Sequence, residues 1–403
     1  MNSEIVGDPS MSTGVVGFEL TEDQVALKEL ARDYFDQVAG VEVMSRIDES
    51  ETYPAEILSG MAEIGLWGIA IDEEYGGNRI DHVTRAVLVE EVSRAGSSVS
   101  YAWIPTALFC ADALSIFGTD EMKQRFLPGI ADGSLRMAMS LTEPESGSDL
   151  MSLTTKARRD GDDYVVSGQK VFTTGADSAN FLLALVRTDP EARPRSAFSM
   201  LFIPTDAPGV SISPLRKMMG QGTHTCEVFL DEVRVPAENL LGEEGAGAAV
   251  VFELMEADRV YTAAQSVGIA QHALDIASRY ANERYQFGKP IIQHQAVAHL
   301  LADMDIQVGA ARALTFAAAN RIDLGLPCGR ESAIAKVFAS EAGSKCTSNG
   351  VQVLGGYGVM RDYGMERLYR ESKIQEIFGG TNQVLRTVIA NSMDTSKSTR
   401  SRR

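Results

Sequence analysis

The chain has 403 residues, 44% of them hydrophobic and 23% charged, an ordinary globular composition on a length too great for one core, so two or three structural units are expected. Its formal net charge of −18 argues against a nucleic-acid partner, which would need clustered Lys and Arg. Cys110, Cys226, Cys328 and Cys346 are widely spaced with no CxxC pair; this predicts buried free thiols rather than a zinc site or a disulfide framework.

Residues 1–16 have neither a basic stretch nor an apolar one and do not read as a signal peptide. With the polar tail 394–403 they are expected to be disordered. No uninterrupted apolar run reaches membrane-spanning length, so a cytoplasmic protein is expected. From Thr21 the pattern turns helical: Gln24 follows three residues later, the spacing of a capping box, and Val25, Leu27, Leu30, Ala31, Tyr34 and Phe35 suit one helix face. Similar periodicity continues to about residue 135, giving an N-terminal helical domain over 17–135. Glu90 and Glu91 fall inside it as helix residues with no assigned role.

At Met137 the texture changes. YVVSGQKVF, FLLALVR, AFSMLFIP and CEVFLDEVRVP are short β-branched and aromatic runs broken by Gly, Pro, Asp and Asn, the punctuation of an antiparallel, barrel-like β domain over 136–243. Val165 and Val166 before Ser167-Gly168 predict a hairpin edge. Long Ala-rich helical segments return from Gly247 and predict a C-terminal four-helix bundle over 244–393. The fold class is α+β, in the order helical domain, β domain, helical bundle. His224 and His294 sit in no metal-ligand pattern, and no metal is expected.

Five motifs in order carry a resemblance: LTEPESGSD (Leu141 to Asp149), SGQKVFTTGA (Ser167 to Ala176), ERYQFGKPIIQHQAV (Glu283 to Val297), VQVLGGYGVMRDYGMERLYRESKI (Val351 to Ile374) and IFGGTNQV (Ile377 to Val384). Together they resemble the acyl-CoA dehydrogenases, over about residues 18 to 392. The resemblance implies FAD as cofactor. It places Leu141, Thr142 and Thr174 near the flavin ring, with Phe172 where the family commonly has Trp; taken alone, Phe172 reads as a core strand aromatic. Ser148 resembles the residue that bonds the pantetheine part of the substrate, although a Ser between Gly147 and Asp149 is ordinarily a turn residue. Arg284, Gln286, Phe287, Gln352 and Gly356 match positions that reach the FAD of a neighbouring subunit, and Thr381 and Gln383 complete the cofactor side. Arg284 offers a planar fork of donors suited to pyrophosphate. A homo-oligomer is thereby implied, at least a dimer and in the family usually a tetramer, a dimer of dimers.

One departure bears on the chemistry. Desaturating an acyl thioester requires a base for the α-proton, a hydride acceptor for the β-hydrogen, and donors that hold the thioester oxygen. Many family members carry the base as Glu in I-Y-E-G-T, whereas this chain has Ile377-Phe378-Gly379-Gly380-Thr381. Gly379 keeps the backbone N–H that in the family polarises the carbonyl but offers no base. A branch typified by isovaleryl-CoA dehydrogenase carries its base on a helix of the C-terminal bundle, just before an arginine. Aligning VYTAAQSVGIAQ with that helix puts Asp258 at the base position and Arg259 after it. Asp258 alternatively reads as a solvated helix residue paired with Arg259 or a neighbouring Lys. Glu256, about 160° away around the helix, resembles a CoA contact or is simply exposed. Arg259 resembles a support for the active-site helix and the substrate, or makes a structural ion pair. Tyr101 and Trp103 fall on the helix that lines the family's acyl pocket, where bulky rings favour a short, branched or cyclic chain; as ordinary core aromatics they would say nothing of substrate.

The expected activity is FAD-dependent α,β-dehydrogenation of an acyl-CoA, with an electron-transfer flavoprotein as acceptor. An acyl-carrier-protein thioester as substrate and an enoyl-thioester reductase are alternatives on the same scaffold. A flavoprotein without dehydrogenase chemistry is the reading from a different class.

Overall fold

The computed structural model describes residues 19–393, so the expectation of disorder at both termini lies outside the described residues. In chain order, the N-terminal helices are α1 (Glu22–Val38), α2 (Val41–Ser50), α3 (Ala55–Glu63), α4 (His82–Ala95), α5 (Ser97–Ile104), α6 (Ala111–Phe117) and α7 (Asp120–Ala131). The capping box at α1 forms as the spacing requires: Gln24 N donates to Thr21 Oγ1 and the Gln24 side chain accepts from Thr21 N. Between α5 and α6 the backbone passes through a wider π turn at Pro105–Cys110. Proline at 105 removes one helix donor there, and such turns recur where a helix is interrupted. The run Ser97–Phe117 is, contrary to the sequence expectation, long and apolar enough by composition to cross a membrane. Most of it is instead buried in the core, with Trp103, Leu108 and Leu114 fully enclosed.

The β unit is one eight-stranded sheet of β1 (Met137–Ser140), β2 (Lys156–Asp160), β3 (Asp163–Thr174), β4 (Phe181–Arg187), β5 (Phe198–Pro204), β6 (Val210–Pro214), β7 (Thr225–Pro236) and β8 (Leu240–Leu241), in the order β6-β7-β3-β2-β4-β5-β8 with β1 on β4. Most pairings are antiparallel, but β1 runs parallel to β4. The predicted hairpin edge at Val165–Gly168 is a correction. There β3 continues unbroken, and its register on β7 shifts between Val166 and Gly168, so the glycine serves a bulge. Room is the reason: a Cβ on Gly168 would lie 2.7 Å from the Thr155 Cα.

The C-terminal unit comprises α8 (Gly247–Glu283), a small hairpin of β9 (Tyr285–Gln286) and β10 (Lys289–Pro290), then α9 (Gln295–Asp323), α10 (Gly329–Leu354), α11 (Met365–Ile374) and α12 (Asn382–Met393). Small residues let α8 approach α4 closely; a Cβ on Gly268 would meet the Glu90 carbonyl oxygen at 2.2 Å. Of Glu90 and Glu91, which the sequence left without a role, the first ties α4 to the C-terminal unit and the second ties α4 to α1. Arg312 of α9 donates to buried Glu90, and Arg32 of α1 makes a two-pronged pair with buried Glu91. The four cysteines are free and buried.

Candidate active site

Three groups of side chains define the site, and each is set by a different element. The first lies along α8. Asp258 is only 9% exposed, and among the described residues neither a hydrogen bond nor an ion pair reaches its carboxylate. It is therefore not the solvated partner of Arg259. Burial pushes its carboxyl up to about 6, against the opposing pull of Arg259 and Lys336. One turn further on, Thr262 is buried on the same face.

The turn after α11 meets this face. Gly379 and Gly380 have φ of +63° and +89°, the left-handed region that favours glycine. A Cβ built on Gly379 would stand 3.4 Å from Asp258 Oδ2 and 3.2 Å from Thr262 Oγ1. The carboxylate thus stands in contact range of a side chain at 379. Among the described residues the Gly379 N–H has no acceptor. Lys336 of α10, fully buried, donates to Gly380 O at 2.8 Å and Asn382 Oδ1 at 3.1 Å. Thr381 accepts from Val384 N and caps α12, with Gln383 exposed on the first turn.

Neighbouring side chains separate into those that face the turn and those that do not. Tyr101 does: its hydroxyl accepts from Gln375 Nε2 at 3.2 Å, and its ring meets Phe378 edge-on at 6.1 Å. Trp103 is a correction. Two positions along a helix turn a side chain to the opposite side, and Trp103 lies in the helical core with its indole N–H on Leu66 O. Glu256 is neither a lone surface residue nor turned toward Asp258; its carboxylate accepts from Cys328 N and caps the start of α10. Arg259 is half-buried, and its Nε has no protein partner.

The second group is an edge of the β unit. Val171 N donates to Thr142 O, which joins the 141–149 loop to β3 and brings Leu141 and Thr142 alongside Phe172 and Thr174. Phe172 is not a core aromatic. It is 66% exposed at a bulge, with φ +59°, an outlier for a bulky residue and a pointer to a functional face. The loop is anchored by a buried pair missed in the sequence. Glu143 accepts from Thr154 N, Thr155 N and Lys170 Nζ, and these donors hold its carboxyl down to about 2. Lys170 shares one strand face with Tyr164 and Val166, so period-two alternation could have flagged an enclosed lysine. Ser148 stays exposed in the loop.

The third group is a cavity of about 550 Å³ lined by Arg284, Gln286 and Gly356 with Tyr280, Leu354 and Tyr357. Gln352 is exposed on the last turn of α10. Phe287, 94% exposed at φ +53°, tips the adjoining hairpin. No residue of the β edge or of the Asp258 face lines this cavity.

This arrangement matches known proteins along its whole described length. The acyl-CoA dehydrogenase N-terminal, middle and C-terminal domain models match residues 21–134, 138–233 and 245–393. The chain belongs to the acyl-CoA dehydrogenase family. A probable acyl-CoA dehydrogenase of Bacillus subtilis (strain 168) is 38% identical over 93% of this chain and 99% of its own length. A cyclohex-1-ene-1-carbonyl-CoA dehydrogenase of Syntrophus aciditrophicus (strain SB) is 37% identical, over 93% of this chain and 91% of its own. Among solved structures, butyryl-CoA dehydrogenase from Megasphaera elsdenii superposes with a TM-score of 0.89 at 32% identity, covering 93% of this chain and 99% of that one.

Membership makes FAD the cofactor. The residues present suit it. An aromatic face is held outward on a strained bulge beside the part-exposed Leu141 and Thr142 and the Thr174 hydroxyl, which fits a flat ring with polar edges. Arg284 and an open glycine at 356, with nothing within 4 Å of its Cβ position, fit a diphosphate.

Proposed function

We propose that this enzyme desaturates a short, branched or cyclic acyl-CoA at the α,β bond, with Asp258 as the base. The observation that carries the reading is the 3.4 Å separation between Asp258 Oδ2 and the Cβ position of Gly379, which puts a carboxylate where residue 379 has none. The α-carbon C–H bond breaks as an O–H bond forms on Asp258, and the electron pair moves toward the thioester carbonyl. The Gly379 N–H, without a protein acceptor, is available to that carbonyl oxygen and would stabilise the charge gathering there. FAD when bound supplies the acceptor for the β-hydrogen and its electron pair. Burial of Asp258 keeps water from its proton and strengthens it as a base, while a value of about 6 leaves it ionised at neutral pH.

Tyr101 supports the limit on chain size, because its ring is edge-on to Phe378, next to the reacting turn. Ser148 and Arg259 are assigned to the substrate, the latter for its unpartnered Nε. The third group, whose cavity neither of the first two lines, is assigned to the FAD of a second copy, so the enzyme works as at least a dimer, a dimer of dimers by the family's habit. Electrons leave to an electron-transfer flavoprotein, and the acidic chain acts in the cytoplasm.

Anaerobic mixing of the holoenzyme with a panel of short, branched and cyclic acyl-CoAs tests the reading. At least one should bleach the flavin absorbance, and Asp258→Asn should stop this with FAD still bound. Bleaching by no member of the panel sinks the activity, and an Asn variant as fast as the parent sinks the base.

A further inference from the structure

A buried lysine lies beside the reacting turn, and nothing above gives it work. Lys336 is fully enclosed on α10, yet among the described residues it meets only two acceptors, the Gly380 carbonyl and the Asn382 amide oxygen. A neutral glutamine amide could make the same two bonds without the heavy penalty of burying a charge. Lys336 grips one residue of the turn, and Asp258 Oδ2 stands 3.4 Å from the Cβ position of the residue before it, so the two charges flank the same bend and Asp258 is the foremost anion acting on the ammonium. Arg259 of α8 also acts on Lys336, as do Glu341 on its own helix and Glu376 after α11. Glu376 is occupied elsewhere, by Ser344 and Lys373, and Glu341 by Arg386 and Asn382. Asp258 is left without a hydrogen-bonding partner of its own.

We infer that Lys336 is a positioning residue for the dehydrogenation, fixing the Gly379–Gly380 turn through the Gly380 carbonyl and holding the Asp258 carboxylate in its charged form. The inference rests on Asp258 being the base. One cation then serves both halves of the reaction. It sets where the Gly379 N–H stands, and it opposes the burial that drives Asp258 toward its neutral acid. The same burial pushes Lys336 down to about 8, so its charge is itself lost in mildly alkaline solution.

The experiment is single-turnover flavin reduction of the holoenzyme by a reactive acyl-CoA between pH 5 and 10, for the parent, Lys336→Met, Lys336→Arg and Asp258→Asn. The parent should rise through about pH 6 and fall through about pH 8. In Lys336→Met the acid limb should move up by about one pH unit or more, the scale of an opposite charge at close range, and the alkaline limb should vanish. Lys336→Arg, whose guanidinium stays charged, should restore the acid limb and lose the alkaline one. A Lys336→Met profile lowered evenly, with both limbs unmoved, would reduce the lysine to scaffolding and overturn the inference. Should the Met variant not hold flavin, the Arg variant decides alone: an alkaline limb that persists in it also overturns the inference. Asp258→Asn in the same series separates the two failures, since a full rate there indicts the base and not Lys336.

Discussion

The Asp258 carboxylate lies within van der Waals contact of a side chain on Gly379, with Oδ2 at 3.4 Å from that Cβ position. An acid on the turn would face the one on the helix. Gly379→Ala places a methyl 3.2 Å from Thr262 Oγ1 at φ +63° and should lower stability by about 1–2 kcal/mol, the usual cost of a side chain in the left-handed region. Gly379→Glu should add like-charge repulsion, raise the pH at which Asp258 ionises and slow reduction at neutral pH. Thermal melts and a pH series on the two variants check this.

Asp258 is held at a cost to the fold. Its carboxyl titrates at about 6 in the native state against 3.8 in a free chain, so the native state binds the proton more tightly. By linkage, stability from this group falls as pH rises between those values, a loss of about 3 kcal/mol by pH 7. Asp258→Asn should therefore be more stable than the parent at pH 7 by up to that amount. The gap should close as pH drops toward 4. Denaturant unfolding at pH 7, 5 and 4 reads it directly.

Glu143 carries the opposite sign. Its value of about 2 lies below the unfolded 4.5, so the stability it contributes is complete above 4.5 and disappears as pH falls toward 2. Lys170→Met leaves this carboxylate enclosed without its cation and should cost about 3–5 kcal/mol. Because the pair pins the 141–149 loop against β3, flavin content should fall before the protein unfolds. Absorbance of the purified variant, compared with its melting curve, checks the order of events.

Phe287 gives a test of assembly. At 94% exposed, with only an edge-on contact to the His294 ring within the described residues, it adds little to its own protomer, so Phe287→Ser should leave monomer stability within about 0.5 kcal/mol. If the hairpin tip reaches a second copy, the same change should shift sedimentation toward smaller species and weaken FAD retention. Arg284→Ala should weaken retention with a smaller effect on assembly.

The helix–sheet–helix order, the capping box and the facing of positions 258 and 379 were legible in the sequence because each rests on local periodicity or on one displaced residue. What was not legible depends on the third dimension. Trp103 and Tyr101 share a segment, but only the helix turn separates core from pocket. Phe172 could be placed beside the flavin by resemblance alone; its periodicity reads as a core strand aromatic, and only the bulge at φ +59° turns it outward. The Glu143–Lys170 and Lys336 contacts join residues 27 and 44 or more positions apart in ways no motif spacing announces.

Asp258 belongs to a helix of 37 residues, whereas the Gly379 N–H belongs to a two-glycine bend. A rigid rod and a pliant hinge thus carry the two groups assigned to the reaction, and the lysine that grips the hinge is what couples them. Any change that loosens the hinge would be felt by the rod's carboxylate through that one ammonium.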